Sequence, residues 1–261
     1  MRDEAEHTVQ ATSPPKISSV EEFIQTVRRD SAEAGWSYVW FRGEPSCDEK
    51  GKKIAPLIPR LYRPKADGSR HNENRLLQTF RRQAPTFSSS PCPDQRGSTD
   101  QWLFLAQHVG VPTRLLDWSE GALVGLHFAL LEAHPVIWMI PPFELNRQTY
   151  PDSADEFPIT WLLDHVHAAW ENDPDKFQIP LPVAIQPTAV HQRISVQRSF
   201  FTIQGKDPRS LALQVPELLR RYEIEPSARP IMQKDLRLLG ISYATVFPDL
   251  DGLAKDLREL Y

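Results

Sequence analysis

The chain has 261 residues, of which 40% are hydrophobic and 25% are charged, a balance typical of a globular protein with a sizeable core. The net charge of −4 argues against binding to nucleic acid through overall positive charge, although a local basic site remains compatible with it. Cys47 and Cys92 belong to no Cys-x-x-Cys pair, which argues against a disulfide framework or a zinc–cysteine site.

The N-terminal lead, residues 1–16, is polar and shows no periodicity, so we expect it to be disordered. It lacks the apolar segment of a signal peptide. The longest apolar stretch, around residues 121–131, is too short to span a bilayer. We therefore expect a cytoplasmic protein with no membrane partner.

The next part of the chain predicts helices and strands in mixed order. Ser19 is a suitable N-cap for a first helix, and Glu21 and Glu22 suit the positive end of its dipole. Up to residue 140, the pattern predicts a strand over 37–43, a helix over 72–83 ended by Pro85, a helix over 100–109, a connector over 113–118, a helix over 120–133 and a strand over 136–140.

The C-terminal part continues this mixture. It predicts a helix over 159–170, strands over 183–185 and 200–203, a helical segment over 211–219, a strand over 220–224, a helix over 230–238, a strand over 243–247 and a helix over 250–260. Strands and helices alternate without regular βαβ spacing. The sequence therefore predicts a single α+β domain over residues 17–261, with a mixed or antiparallel central sheet flanked by helices.

Three segments carry a family resemblance: WFRGE at 40–44, LAQHVGVPTRLLDWS at 105–119, and RISVQ at 193–197 followed by FTIQG at 201–205. On these motifs the chain resembles the FRG-domain family, from about residue 20 to the C-terminal helix. It departs from the family pattern in two places. Ser119 stands where Thr is usual, and Arg198-Ser199 stand where a Gly is usual, so the tight turn expected there would differ.

Arg42 lies at the end of a predicted strand, where its guanidinium could hold a phosphate or carboxylate with two parallel hydrogen bonds. Gly43 would let a ligand approach the backbone closely. The alternative is a structural arginine paired with Glu44, Asp117 or another acid.

Arg114 and Asp117 flank the apolar pair Leu115-Leu116, and a buried charge needs a partner. We expect the two to pair with each other or with Arg42, in a network that specifies the fold. The alternative is that Arg114 also contacts a ligand.

Arg193 and Gln197 are four residues apart and would contact a ligand if both faced one pocket, since an amide suits a ribose hydroxyl. His108 is a candidate proton carrier or a structural histidine. His127, on an apolar helix, is expected in the core.

Metal binding is not predicted. Asp164 and His167 share a helix face, with His165 beside them, but no further ligand is evident.

The main hypothesis is that arginines from distant parts of the chain meet at one pocket. If Arg42, Arg114 and Arg193 meet, together with His108 and Gln197, the pocket is positive and rich in hydrogen-bond donors. Such a pocket suits a nucleotide or another phosphate-bearing ligand, including nucleic acid.

A weaker analogy links residues 40–44 to the first motif of arginine-type ADP-ribosyltransferases. It implies that Arg42 holds NAD as a substrate and that the sheet is split as in those enzymes. Gln197 stands roughly where a late catalytic Glu would be sought and cannot act as a base, so Glu223 or Glu225 would supply the acid. No clear Ser-Thr-Ser strand is visible.

Three functions follow as alternatives. The first is an NAD-using, ADP-ribosyltransferase-like enzyme with a protein or nucleic-acid target, such as a toxin or phage-defence effector. The second is a noncatalytic nucleotide or nucleic-acid binding module, in which Trp102 and Trp118 could stack on bases or lie in the core. The third is a metal-independent hydrolase or nuclease that uses His108 and Asp117.

Overall fold

The computed structural model describes residues 14–47, 51–87, 92–93, 99–150, 181–187, 196–205 and 207–261. The predicted helix over 159–170, with Asp164, His165 and His167, lies outside these residues, as does Arg193. The strands are β1 Lys16–Ile17, β2 Trp40–Pro45, β3 Leu115–Ser119, β4 Pro135–Ile140, β5 Val183–Ile185, β6 Ser199–Ile203 and β7 Arg220–Ile224.

The strands form one seven-stranded sheet in the order β1-β7-β4-β2-β3-β6-β5. β1 is parallel to β7, and the other pairings are antiparallel, which confirms the predicted α+β class with a mixed sheet. β2 and β4 stay paired from Trp40–Ile140 to Pro45–Pro135. β2 and β3 share the register pair Phe41–Ser119 and then separate.

The helices are α1 Val20–Ala34, α2 Glu73–Phe87, α3 Thr99–His108, α4 Ala122–Leu130, α5 Pro142–Thr149, α6 Leu211–Gln214, α7 Arg229–Leu238, α8 Tyr243–Val246 and α9 Leu250–Leu260. Short 3₁₀ turns occupy Arg60–Tyr62, Pro216–Leu218 and Pro226–Ala228. Ser19 caps α1 as predicted, because its hydroxyl accepts a hydrogen bond from the Glu22 N–H at 3.0 Å. No helix among the described residues is long and apolar enough to cross a membrane.

Two element predictions are wrong. The connector predicted over 113–118 is instead the inner strand β3, in which Leu115, Leu116 and Trp118 are buried. The strand predicted over 243–247 is instead helix α8, because the Ser242 N–H donates to the Thr245 hydroxyl at 2.7 Å and starts a helical turn that the β-forming side chains did not indicate.

Several boundaries also differ from the prediction. β2 covers 40–45 rather than 37–43, and α4 covers 122–130 rather than 120–133. α2 continues through Pro85 to Phe87. Lys16, placed at the end of the predicted lead, is the first residue of β1, and the carbonyl of Pro15 accepts from the Glu223 N–H at 3.1 Å. Backbone hydrogen bonds to a distant strand thus extend the sheet to residues whose local composition predicts disorder.

Two groups of helices pack on one face of the sheet. Phe41 joins a buried cluster with side chains of α1, α4 and α7, and Leu115 joins a second with side chains of α2 and α3. Phe41 is paired with Ser119 of β3, and Leu115 lies four residues before Ser119. Because side chains alternate between the two faces of a strand, Phe41 and Leu115 lie on the same face of the sheet. Trp40 and Leu116 belong to a third cluster, on the opposite face. The seam between β2 and β3 therefore lies between the two helical groups.

Candidate functional site

An open cleft follows this seam. It consists of two adjoining cavities of about 800 and 280 Å³, which share five lining residues: Arg42, Gly43, Gln107, His108 and Asp117. Four of these are predicted site residues, and a fifth, Gln197, lines the smaller cavity. Gln107 is an addition, and it precedes His108 at the end of α3.

Arg42 bridges the gap between the separating strands. Its Nη1 donates to the backbone carbonyl of Asp117 at 2.8 Å and lies 3.7 Å from the Asp117 carboxylate. Its Nε lies 3.5 Å from the buried carboxylate of Glu44. The predicted pairing of Arg42 with Glu44 and Asp117 is present. The Arg42 side chain keeps 18% of its solvent exposure and lines both cavities.

Asp117 is the most accessible acid of this group, with 53% of its side chain exposed. Its Oδ2 accepts a hydrogen bond from Gln107 Nε2 at 2.7 Å. The other end of the Gln107 amide accepts from the Thr113 hydroxyl, and this hydroxyl in turn accepts from the Leu115 N–H at 3.2 Å. The carboxylate is therefore oriented by a chain of hydrogen bonds that reaches back to the start of β3.

Glu44 ties the loop after β2 to the cleft. Its carboxylate accepts from the buried backbone N–H of Leu57 at 3.1 Å. Leu57 has a φ of 51°, a left-handed conformation that is costly for a non-glycine residue. Burial of the Leu57 side chain and this hydrogen bond offset the cost. The residues that follow Leu57 are thus held at the wall of the cleft.

Arg60 and Arg63 project from that wall, and both line the larger cavity. The Arg60 Nη1 donates to the Gly110 carbonyl at 3.4 Å, and the Arg63 Nε donates to the Ile58 carbonyl at 3.0 Å. The pKa of Arg63 is lowered from its ordinary value, first by burial of its guanidinium and then by the positive charge of Arg42, with a further contribution from Arg60; Glu44 acts in the opposite direction. The guanidinium of Arg63 is thus repelled by those of Arg42 and Arg60, which line the same cavity.

Sequence reasoning missed Arg60 and Arg63. They stand in a Pro-flanked stretch, IPRLYRP, that carries no recognised motif. Their spacing of three residues around a 3₁₀ turn is the only local signal, because side chains at i and i+3 lie on one side of such a turn.

The opposite rim of the larger cavity is acidic. Glu132 and Asp249 line it. The Asp249 carboxylate also caps α9 by accepting from the Gly252 N–H at 2.8 Å. The larger cavity therefore carries both signs of charge, because Glu44 and Asp117 lie beside Arg42 and two further carboxylates line it.

Arg114 does not reach the cleft. It keeps 7% of its side-chain exposure and forms a bidentate ion pair with Glu73 of α2, with Nε 3.1 and 2.9 Å from the two carboxylate oxygens. Burial alone would lower the pKa of Arg114, but the charge and hydrogen bonds of Glu73 outweigh it and hold the pKa above its ordinary value. The expected pairing of Arg114 with Asp117 is wrong, whereas Asp117 pairs with Arg42. Arg114 precedes β3, and its guanidinium is held by Glu73 at the start of α2.

Tyr62 lies next to this ion pair. Its hydroxyl donates to the carbonyl of Gly205. Burial raises its pKa to about 12, and the negative charge of Glu73 adds to the effect while Arg114 opposes it. Tyr62 therefore remains a neutral hydrogen-bond donor that joins the 3₁₀ turn to the end of β6.

Gly43 is required for helix packing. A Cβ at this position would lie 2.1 Å from the Ala129 nitrogen and 2.6 Å from the Gly125 carbonyl oxygen. A Cβ at Gly125 would lie 2.6 Å from the Cβ of Phe41. The two glycines thus allow α4 to lie directly on β2, and this contact forms one side of the cleft.

Gln197 lines the smaller cavity from the start of β6. Its Nε2 donates to the Val246 carbonyl at 3.0 Å. The Ser119 hydroxyl donates to the Gln197 carbonyl at 2.8 Å and accepts from the Gly121 N–H at 3.1 Å. The hydroxyl at position 119 thus joins β3, β6 and the start of α4, a role that the shared hydroxyl of Ser and Thr would preserve.

The turn after Gln197 is formed without glycine. Arg198 has a φ of 46°, so an arginine adopts the left-handed conformation that the usual glycine favours. Its carbonyl accepts from the Glu120 N–H at 3.2 Å. The tight turn is therefore retained, contrary to the expectation that it would differ.

Glu223 and Glu225 do not line the arginine cleft. Glu223 Oε1 lies 2.5 Å from Arg221 Nη1 on β7 and lines a neighbouring cavity of about 450 Å³, which shares Glu44, Pro45 and Ile54 with the larger cavity of the cleft. Glu225 lies 3.9 Å from Lys16. Neither carboxylate is among the described lining residues of the cleft that contains Arg42.

His127 is a core residue, as predicted. It is buried, with its ring edge-on to Tyr243 at 5.2 Å between centroids. Burial lowers its pKa to about 4, while Asp256 raises it and Lys255 and Arg237 lower it further. Trp102 and Trp118 are also buried, which confirms the core alternative for both and leaves neither ring open to a base.

No group of three or more His, Cys, Asp or Glu side chains able to hold a metal ion occurs within the part of the chain that the structure describes.

Comparison with known proteins agrees with the motifs. The FRG domain family model matches residues 37–136. This range contains the first two of the three motif segments and most of the residues of the cleft. No curated protein and no solved structure matches the chain. The match includes the WFRGE and LAQHVGVPTRLLDWS segments, which meet at one seam in the structure, so residues 37–136 are similar to the FRG domain.

Proposed function

We propose that the seam cleft binds an anionic, nucleotide-like ligand through Arg42, Arg60 and Arg63. The observation that carries this proposal is the convergence of three guanidinium groups on one open cavity of about 800 Å³. A volume of this order is typical of small-molecule sites.

The charges favour an anionic guest. Arginine keeps its proton at neutral pH, so deprotonation does not relieve the repulsion of Arg63 by the positive charges of Arg42 and Arg60. A phosphate group would replace that repulsion with charge-assisted hydrogen bonds. Arg60 and Arg63 donate hydrogen bonds to backbone carbonyls, and each guanidinium has further N–H groups for a ligand.

The remaining walls suit the rest of a nucleotide. The smaller cavity is lined by the partly exposed aromatic side chains Phe128 and Phe247, which offer an apolar surface to a base. On the opposite rim, Glu132 and Asp249 carry carboxylate oxygens that can accept hydrogen bonds from ribose hydroxyls. A ligand with a phosphate end and a hydroxyl-bearing end would match the polarity of the cleft. Such a ligand also fits the predicted cytoplasmic location.

Catalysis is a second candidate, because His108 and Asp117 line the same two cavities as Arg42. A hydrolase would use one of them to activate water beside the bound phosphate or glycosidic bond. If NAD is the ligand, its consumption would make this protein an ADP-ribosyltransferase-like or NAD-hydrolysing effector, of the kind that serves as a toxin or in phage defence.

The binding test is calorimetry with ADP-ribose, ADP and uncharged adenosine. We expect saturable binding of the two phosphate-bearing compounds, and weaker binding at higher salt because the contacts are charged. Arg63→Ala should weaken ADP-ribose binding by about tenfold, the value of one charge-assisted hydrogen bond.

The matched control is Arg28→Ala, which removes an exposed arginine on α1, outside the cleft. Its affinity should equal that of the parent protein. Equal binding of adenosine and ADP, or no binding of any phosphate-bearing compound, overturns the proposal.

Turnover separates the enzyme from the binding module. NAD is incubated with the parent protein and with His108→Ala, and its loss is followed by chromatography. Loss of NAD that requires His108 supports the catalytic candidate. Binding without loss supports a noncatalytic module.

A further inference from the structure

A second cleft lies beside the C-terminal end of α3, on the side away from Arg42. Its volume is about 1160 Å³, and it is formed by the loop at residues 65–72, by α2 and by the end of α3 with the following turn. Val109 lies between the two clefts and lines both. The second cleft uses none of the arginines of the first.

The floor of this cleft is apolar. Leu76, Phe80, Leu105 and Val111 line it and remain only partly covered by protein. Phe80, Leu105 and Val111 also pack against the buried cluster that contains Trp102. The floor is therefore a continuation of the core that is open to solvent, and burying it would be favourable by the hydrophobic effect.

The rim is basic. Lys65, Arg70, Arg75 and Arg82 line the cleft, and all four side chains are exposed. None of them forms an ion pair with another residue that the structure describes. No described lining residue is acidic. The positive charge of Lys65 helps to lower the pKa of Asp67, after the larger effect of the hydrogen bonds from Ser69.

From this pairing of an apolar floor with a positive rim we propose a second ligand site, for an anionic amphiphile with a single alkyl chain, such as a long-chain carboxylate. The alkyl chain lies along Leu76, Phe80 and Leu105, and the head group meets Arg75 and Arg82 on the exposed side of α2. Each part of the ligand thus meets the chemistry that stabilises it.

Both parts are needed for selectivity. A short anion gains only exposed, screened charge contacts, which are weak. An uncharged chain of the same length gains the apolar contacts but leaves the basic rim unpaired. The affinity for the anionic amphiphile should therefore exceed the affinities for the short anion and for the uncharged chain. Added salt should weaken binding of the amphiphile but not of the uncharged chain.

The test compares dodecanoate, 1-dodecanol and acetate, each below its aggregation limit, by calorimetry on the full chain. We expect saturable binding of dodecanoate, binding of 1-dodecanol at least about tenfold weaker, and no measurable binding of acetate. Equal affinities for dodecanoate and 1-dodecanol, or no saturable binding of dodecanoate, overturn the proposal.

Two variants locate the site. Arg75→Glu combined with Arg82→Glu reverses the rim charge and should weaken dodecanoate binding by tenfold or more. Thr79→Trp places a ring in the cavity and should block the chain while leaving the rim charge in place. Arg258→Glu, on the exposed surface of α9, is the matched charge control and should change nothing.

If the rim variant binds dodecanoate as tightly as Arg258→Glu does, the site is not in this cleft and the proposal fails. Circular dichroism of each variant excludes unfolding as the cause of lost binding. The result is independent of the nucleotide proposal, because ADP-ribose binding to the rim variant should be unchanged.

Discussion

Phe41, Arg42 and Gly43 have three different roles in consecutive positions of one strand. Phe41 packs in the core against Phe23 of α1 and belongs to the cluster that includes side chains of α4 and α7. Arg42 spans the gap to β3. Gly43 lets the backbone of α4 contact β2. The short motif is thus explained by alternation along the strand together with one close helix contact.

Gly43→Ala should destabilise the fold by about 3 kcal/mol or more, because the new methyl group would lie within bonding range of backbone atoms of α4 that cannot move independently. Urea unfolding monitored by tryptophan fluorescence measures the change. Gly121→Ala is the control, since its methyl group would meet only side-chain atoms, of which the nearest is a Val124 carbon at 3.2 Å. Equal loss of stability in the two variants would contradict the close-contact explanation.

At the scale of elements, β3 organises the cleft. It carries Asp117 towards the seam, directs Arg114 away from it, and ends at Ser119, whose hydroxyl joins β6 and α4. The turn before β6 completes this arrangement, because Arg198 accepts a hydrogen bond from Glu120 while in a left-handed conformation. The arginine tolerates this conformation at an energetic cost that a glycine would avoid.

Arg198→Gly should therefore raise the free energy of unfolding by about 0.5 kcal/mol, the relief of left-handed strain less the greater entropy of glycine in the unfolded chain. Arg198→Val should lower it by about 1 kcal/mol, since a β-branched residue is worse in this conformation. Thermal and urea unfolding of the pair give the comparison. If valine proves as stable as glycine, residue 198 does not hold a left-handed turn in solution.

At the scale of the whole molecule, a buried ion pair connects α2 to the sheet. Arg114 precedes β3, and Glu73 begins α2, forty-one residues earlier in the chain. Tyr62 completes the connection by bonding to Gly205 at the end of β6. This network positions α2, which carries Arg75 and Arg82 of the second cleft, and the 3₁₀ turn, which carries Arg60 of the first.

Arg114→Leu should cost about 3 to 5 kcal/mol, because it leaves the Glu73 carboxylate buried without its cation. The double variant Arg114→Leu with Glu73→Leu should recover roughly half or more of that loss, since no charge is then left unpaired. Urea unfolding of both single variants and the double variant measures the coupling. Additive losses would show that the two side chains do not act as a pair.

The fold class was readable from the sequence because local patterns encode it. Aromatic and β-branched runs mark β2, β4 and β7, and apolar spacing marks α1, α4 and α9. The predicted lead and the connector over 113–118 show the limit of this reasoning. Lys16 and Leu115 become strand residues through backbone hydrogen bonds to β7 and β6, which local composition does not report.

The sequence by itself determined that an arginine follows an aromatic pair at a strand end, that Asp117 is available to pair with it, and that His127 lies in an apolar helix. Only the tertiary structure decided which other charges surround Arg42. Arg114 is turned towards Glu73, whereas Arg60 and Arg63 face the cavity. The physical reason is that periodicity specifies which face of an element is buried, while the meeting of side chains from distant segments depends on how strands separate and helices pack.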